Sequence, residues 1–257
     1  MDVLYDLSGH VATVTINRPD ARNAMNEAVL SGLGEAMGRA RADADVRVVV
    51  LTGAGDKAFC AGADLKSSVV GGGALETHHG RSLLADVFLE MTELGKPTIA
   101  RVNGHALAGG FGLALACDIV IASRSATFGT PEINVGLWPM MISAILIRAM
   151  PPKTALELMM TGRRVDADEA QRLGFLSQVV EPSELDKAVA EVADGLASKS
   201  PALMRLGRDS YYTILDMDLR SALRHLQSML TITTLAEDSA EGLRAFAEKR
   251  DPVWKGR

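Results

Sequence analysis

The chain has 257 residues, 47% hydrophobic and 23% charged, which fits one globular α/β domain or such a domain with a helical appendage. A net charge of −5 and an aromatic content of 4% offer a nucleic-acid partner neither a basic face nor a stacking platform. No apolar run reaches membrane-spanning length, and "MDVLYDLSGHV" lacks the basic start and apolar stretch of a signal peptide, so neither a membrane partner nor export is expected.

In chain order, "VLYDL" (3–7) and the alternating "HVATVTI" (10–16) predict two strands paired across Ser8 and Gly9. After Asn26, residues Val29, Leu30, Leu33 and Met37 fall on one helical face. "VRVVVLTG" (46–53) is a continuous β-branched run, the pattern of a strand buried on both faces. Glycine-rich "SSVVGGGALETHHG" (67–80) interrupts this order and is expected to be a mobile loop over whatever the core binds. Leu84, Val87, Phe88, Met91 and Leu94 then share a helical face closed by Gly95 and Pro97. "TIARVNG" (98–104), "DIVIAS" (118–123) and "LSQVV" (176–180) read as further strands, and Asp166 with Glu169 has capping-box spacing. Strands alternating with helices imply crossover units and a largely parallel sheet. From Ser183 the pattern is almost wholly helical: Leu185, Val189, Val192 and Leu196 mark one helix, Pro201 opens another, and 219–235 and a segment around Phe246 follow. The expected organisation is an α/β core over 1–182 and a helical module over 183–257.

Cys60 and Cys117 have apolar neighbours and no metal-ligand spacing, so they read as reduced thiols of a cytoplasmic protein, with no metal expected. Three stretches carry candidate chemistry. In "AFCAGADLK" (58–66), Ala61, Gly62 and Ala63 follow a β-type run, and small residues let backbone amides approach a ligand closely. In "NGHALAGGFGLALACD" (103–118), Gly109 and Gly110 precede an apolar helical run from Leu113 to Cys117. Amides at a helix start lack intrahelical acceptors and carry the positive end of the dipole. Two such amides converging on one point form an oxyanion hole; read alone, a glycine pair before a helix is more often tight packing. Neither stretch has a GxGxxG or GK[ST] pattern, which argues against a nucleotide cradle. In "FGTPEINVGLWP" (128–139), Glu132 has apolar neighbours whose desolvation would suit a general base; a capped or salt-bridged surface glutamate is the alternative.

With "INRPDARNAM" (16–25), "CDIVIAS" (117–123), "ALELMMTGRRVDADEAQRLGFLSQVV" (155–180) and "EDSAEGLRAFAEKRDPVWKG" (237–256), these stretches resemble, in order and over essentially the whole chain, the crotonase superfamily, also called the enoyl-CoA hydratase/isomerase family. The resemblance implies a crotonase-like α/β fold: a ββα spiral core with a C-terminal helical trimerisation module, assembled as a homotrimer or a hexamer (a dimer of trimers). It implies an acyl-CoA substrate, no separate cofactor because coenzyme A is part of that substrate, and a thioester enolate intermediate. By resemblance, the amides of Ala63 and Gly109 hold the thioester oxygen and Glu132 is the acid/base. Ala61, Asp64, Leu65 and Lys66 fall on the CoA-binding stretch, the Ala61 carbonyl receiving the adenine amino group. Arg22 and Lys66 match positions that meet the CoA phosphates. Phe246 and Lys249 match a pair through which a neighbouring subunit completes the CoA site.

One departure bears on the reaction. Family hydratases carry two glutamates, and the first would stand at Gly112 here, with no carboxylate close to it in sequence. Losing one of two cooperating acid/base groups commonly forfeits about 10²–10⁴-fold in rate. Glu132 alone fits an isomerase-type transfer of a proton from the α to the γ carbon better than water addition. Enoyl-CoA hydration, with Glu76, His78 or His79 as a second group, and a non-catalytic CoA- or RNA-binding role are the alternatives. In "LWPMMIS" (137–143), Trp138, Met140 and Met141 put bulk where many relatives have glycine, either along the acyl chain or in the core.

Overall fold

The structure, a computed structural model, describes residues 1–64 and 74–257; of the side chains at 74–81 it describes His78 alone. Strands β1 (Val3–Ser8) and β2 (Val11–Ile16) pair antiparallel with Ser8 opposite Val11, as the Ser8-Gly9 turn predicts. β2 alternates half-buried and buried residues, and β3 (Val48–Gly53) is buried throughout, as a β-branched central strand requires. With β5 (Thr98–Val102), β7 (Ile119–Ser123) and β10 (Gln178–Val180) they form one sheet in the order β1-β2-β3-β5-β7-β10, parallel from β2 onward.

A second sheet is built from strands of three residues, too short for hydrophobic periodicity to reveal. β4 (Ala58–Cys60), β6 (His105–Leu107) and β8 (Thr127–Gly129) run parallel, and β9 (Arg164–Asp166) closes the edge antiparallel. Three of the longer strands are each followed by a short strand and then a helix. The repeats are β3-β4-α2 (Ala74–Thr92), β5-β6-α3 (Gly109–Ala116) and β7-β8-α4 (Met140–Ala149), which is the expected ββα spiral. Helix α1 (Glu27–Ala42) precedes them, with the Asn26 side chain accepting from the Val29 amide and Val29, Leu33 and Met37 buried.

Beyond the spiral lie α5 (Pro152–Thr161), α6 (Ala167–Arg172), α7 (Leu185–Ala197), α8 (Pro201–Ile214), α9 (Leu219–Leu235) and α10 (Glu237–Glu248). Three expectations need adjusting. Residues 74–80 are not loop but the first turns of α2, while 67–73 lie outside the described residues. Helix α3 starts at Gly109 rather than near Leu113, because complete burial lets two glycines sit in its first turn. Asp166 caps α6 by accepting from the Glu169 amide at 2.7 Å, but the Glu169 carboxylate turns to Arg163 at 2.8 Å instead of returning to the cap. Helix α7 sets Leu185, Ala188 and Val189 against Val48, Val50, Ile99 and Ile121 on the back of the larger sheet.

Candidate active site

The three stretches that carry candidate chemistry leave the carboxyl ends of three adjacent parallel strands, β4, β6 and β8. Cys60 pairs with Ala106, and Leu107 with Gly129, so the turns after Cys60, Leu107 and Gly129 emerge at one edge of the small sheet. Ligand sites in parallel sheets concentrate at that edge, where the turns have no strand to pair with.

The first two turns are pressed together. Gly62 has φ 99°, and a Cβ there would lie 2.7 Å from the Ala108 Cβ and 3.6 Å from the Gly109 amide nitrogen. A Cβ on Gly110 would lie 2.2 Å from the Cys60 carbonyl oxygen, so that glycine is required for α3 to start against β4. Hydrogen bonds hold the surrounding backbone: Ala61 N–H donates to Arg22 O (3.1 Å), Met25 N–H to Gly62 O (2.8 Å), Asp64 N–H to Met25 O (2.8 Å) and Ala108 N–H to Gly129 O (2.9 Å). Among the described residues, neither the Ala63 nor the Gly109 amide has an acceptor. Ala63 is exposed, and Gly109 is the first residue of α3. The residue before it, Ala108, has φ 52° and ψ −130°, a conformation costly for a residue with a Cβ and of the kind that functional turns store. Periodicity gave no hint of that strain.

Glu132 sits in a short turn, Pro131–Val135, that Gly136 ends at φ 76°. Because Gly129 holds the Ala108 amide, this turn begins directly beside the Ala108–Gly109 step. The Glu132 Oε2 atom is buried without a donor among the described residues. Burial raises the acid's pKa, opposed only by the residue's own backbone amide. Among the described residues the carboxylate caps no helix and pairs with no cation.

The other candidate residues divide. Arg22 is exposed in a left-handed position (φ 52°), its carbonyl receiving the Ala61 amide, so it stands next to the first turn. Asp64 is held by Arg18 at 3.0 Å, which places its carboxylate in the fold's own bonding. Leu65 and Lys66 lie outside the described residues. Phe246, exposed on α10, and Lys249, at its left-handed cap, belong to a helix that packs on α8 and α9. His78 is exposed on α2, and the side chains of Glu76 and His79 lie outside the described residues.

Trp138 packs half-buried on the main core, whereas Met140 and Met141 line a cleft of about 1450 Å³ between α4 and α8 together with Phe88, Ile145 and Tyr211. Ala63, Gly109 and Glu132 are not part of that cleft. Two neighbours of the turns escaped the sequence reading. Met25 bridges to the Ala63 strand end, and its Cε lies 2.5 Å from where a Gly109 Cβ would be. His105 contacts the Thr127 hydroxyl at 2.7 Å, and desolvation and the charges of Arg164 and Arg22 lower its pKa.

A family model described as enoyl-CoA hydratase/isomerase matches residues 6–257. The chain is 37% identical to an (E)-benzylidenesuccinyl-CoA hydratase of Thauera aromatica over all of both chains. It is 38% identical to a carnitinyl-CoA dehydratase of Salmonella typhimurium over 97% of each chain. Among solved structures it resembles an enoyl-CoA hydratase of Mycobacterium smegmatis, with a TM-score of 0.95, 37% identity and 99% of both chains covered. An enoyl-CoA hydratase of Bacillus anthracis matches with a TM-score of 0.95 at 35% identity over 100% of both chains. The paired glycine turns, the ββα spiral and this likeness along the full length agree: the chain is an enzyme of the enoyl-CoA hydratase/isomerase family, within the crotonase superfamily.

Proposed function

We propose that this enzyme isomerises enoyl-CoA thioesters, with the Ala63 and Gly109 amides holding the thioester oxygen and Glu132 as the single acid/base. The observation that carries the reading is Glu132 itself, a buried carboxylate oxygen with no partner among the described residues, beside a turn whose Gly109 amide has no acceptor among them. Ionised Glu132 takes the α proton, and the electron pair of that C–H bond moves into the enolate, whose oxygen the two amides stabilise. Protonated Glu132 then returns the proton to the γ carbon, shifting the double bond with no change in composition. Arg22, Lys66 and the backbone around Ala61, Asp64 and Leu65 receive the CoA portion. Phe246 and Lys249 serve a neighbouring subunit in a trimer or a dimer of trimers.

Hydration is the second reading, favoured by the hydratase and dehydratase names of relatives 37% and 38% identical. A panel of 2-enoyl- and 3-enoyl-CoAs of several lengths tests both, because hydration adds the mass of one water and isomerisation adds nothing. Glu132→Gln is expected to lower turnover by about 10²–10⁴-fold on either substrate class. A native enzyme inactive on the whole panel, or a Gln variant as active as the native, overturns the assignment.

A further inference from the structure

The space beside Gly112, where the family resemblance puts a second acid, is filled with hydrocarbon. Gly112 is the fourth residue of α3, one turn along from the Gly109 amide, and is fully buried. A Cβ built on it would lie 2.5 Å from Ile142 Cγ2, 3.0 Å from Ile142 Cβ and 3.0 Å from Phe88 Cζ. Ile142 comes from α4 and Phe88 from α2, and both are buried at 3% and 6% exposure. The direction in which residue 112 would project a side chain is thus closed by two apolar groups from separate helices. Ile142 cannot withdraw cheaply: its Cβ, fixed by the helix backbone, is itself at the contact limit. Phe88 is backed by the cleft between α4 and α8 and is the more movable partner.

We infer that Phe88 and Ile142 set the reaction type of this enzyme by occupying the space a second carboxylate would need. The inference rests on the reading of Glu132 as the acid/base and adds what limits it to working alone. An apolar wall gives an attacking water no acceptor for its proton and no donor to orient it. Buried water needs two to four polar partners. With water kept from that side, the enolate has one proton source, protonated Glu132, and the double bond moves without addition.

The test follows oxygen. Native enzyme is given 2-enoyl- and 3-enoyl-CoAs in H₂¹⁸O, and the products are read by mass spectrometry. The native product is expected to carry a shifted double bond and no label. Gly112→Glu alone is expected to lose at least about tenfold in turnover and gain no label, since its carboxylate collides with Ile142 and Phe88. Gly112→Glu combined with Ile142→Ala provides the room, and label incorporation is expected at least about tenfold above native. Should that pair not fold, Gly112→Asp with Ile142→Val carries the same expectation. Label entering the native product as fast as the double bond moves overturns the inference. So does a labelled product from Gly112→Glu alone, or a folded double variant that turns over without label. Turnover that survives Glu132→Gln overturns instead the underlying reading of the site, and the two failures are told apart by which variant shows them.

Discussion

At the scale of single residues, the role proposed for Glu132 sets function against stability. Its carboxyl is raised because burial strips water from the charged form and the described protein offers Oε2 no donor. A folded pKa above the unfolded one stabilises the protein below the unfolded value, and that contribution is lost as pH rises through the folded value. Near neutrality the ionised side chain therefore costs stability, and Glu132→Gln is expected to raise it by about 1 kcal/mol at pH 7. That gain should vanish at pH values below the ordinary carboxylate range. For catalysis the sign reverses: a base must be ionised, so kcat/KM of the native enzyme should fall on the acid side at a pH above that of an ordinary glutamate. Thermal melts and a pH–rate profile check both, and a Gln variant less stable than native at pH 7 would remove the desolvation argument. Glu132 was readable as a candidate from its apolar sequence neighbours. Its buried, unpartnered oxygen was not, because burial depends on chain segments far away in sequence.

At the scale of elements, the attachment of α8 to the core includes a part-buried ion pair. Arg208 donates to Asp118 at 2.8 Å and to the carbonyls of Met91 and Thr92 at 2.7 Å each, tying α8 to the end of α2 and the start of β7. Asp118 also receives the Thr98 amide and hydroxyl and the Tyr212 hydroxyl, so α8, β5 and the start of β7 meet at one carboxylate. Removing the buried Arg208 guanidinium leaves two carbonyls unpaired and Asp118 without its cation, which typically costs a few kcal/mol. Arg208→Ala is expected to destabilise the protein by about 3 kcal/mol, measured by urea unfolding. A loss under about 1 kcal/mol would show that α8 is held by its apolar contacts instead. The helices themselves were legible: α1, α2 and α7 follow their apolar spacing, and α9 spans 219–235 as read from the sequence. The short strands β4, β6, β8 and β9 were not. Three residues hold too little periodicity to be recognised, and only pairing with neighbours makes them strands.

At the scale of the whole molecule, the C-terminal helices leave much of their apolar side chains uncovered. Leu219, Leu223, Leu230, Leu235, Leu243 and Phe246 are all more than half exposed. Such a surface exceeds the scattered apolar residues of a monomer and fits burial against other copies of the chain. Native enzyme is expected to sediment as a trimer or hexamer, and Leu223→Glu with Leu230→Glu to shift it to monomer. A native chain that stays monomeric at every concentration would contradict the assembly. Amphipathic spacing, the β-branched core strands and the order of local motifs are properties of neighbouring residues, and they determined the α/β class, most elements and the candidate residues. The meeting of three turns at one sheet edge belongs to tertiary structure. So do the strain at Ala108 and the closure of Gly112 by Ile142 and Phe88. Each depends on groups brought together from 20 or more positions away, and no local pattern encodes which of them will touch.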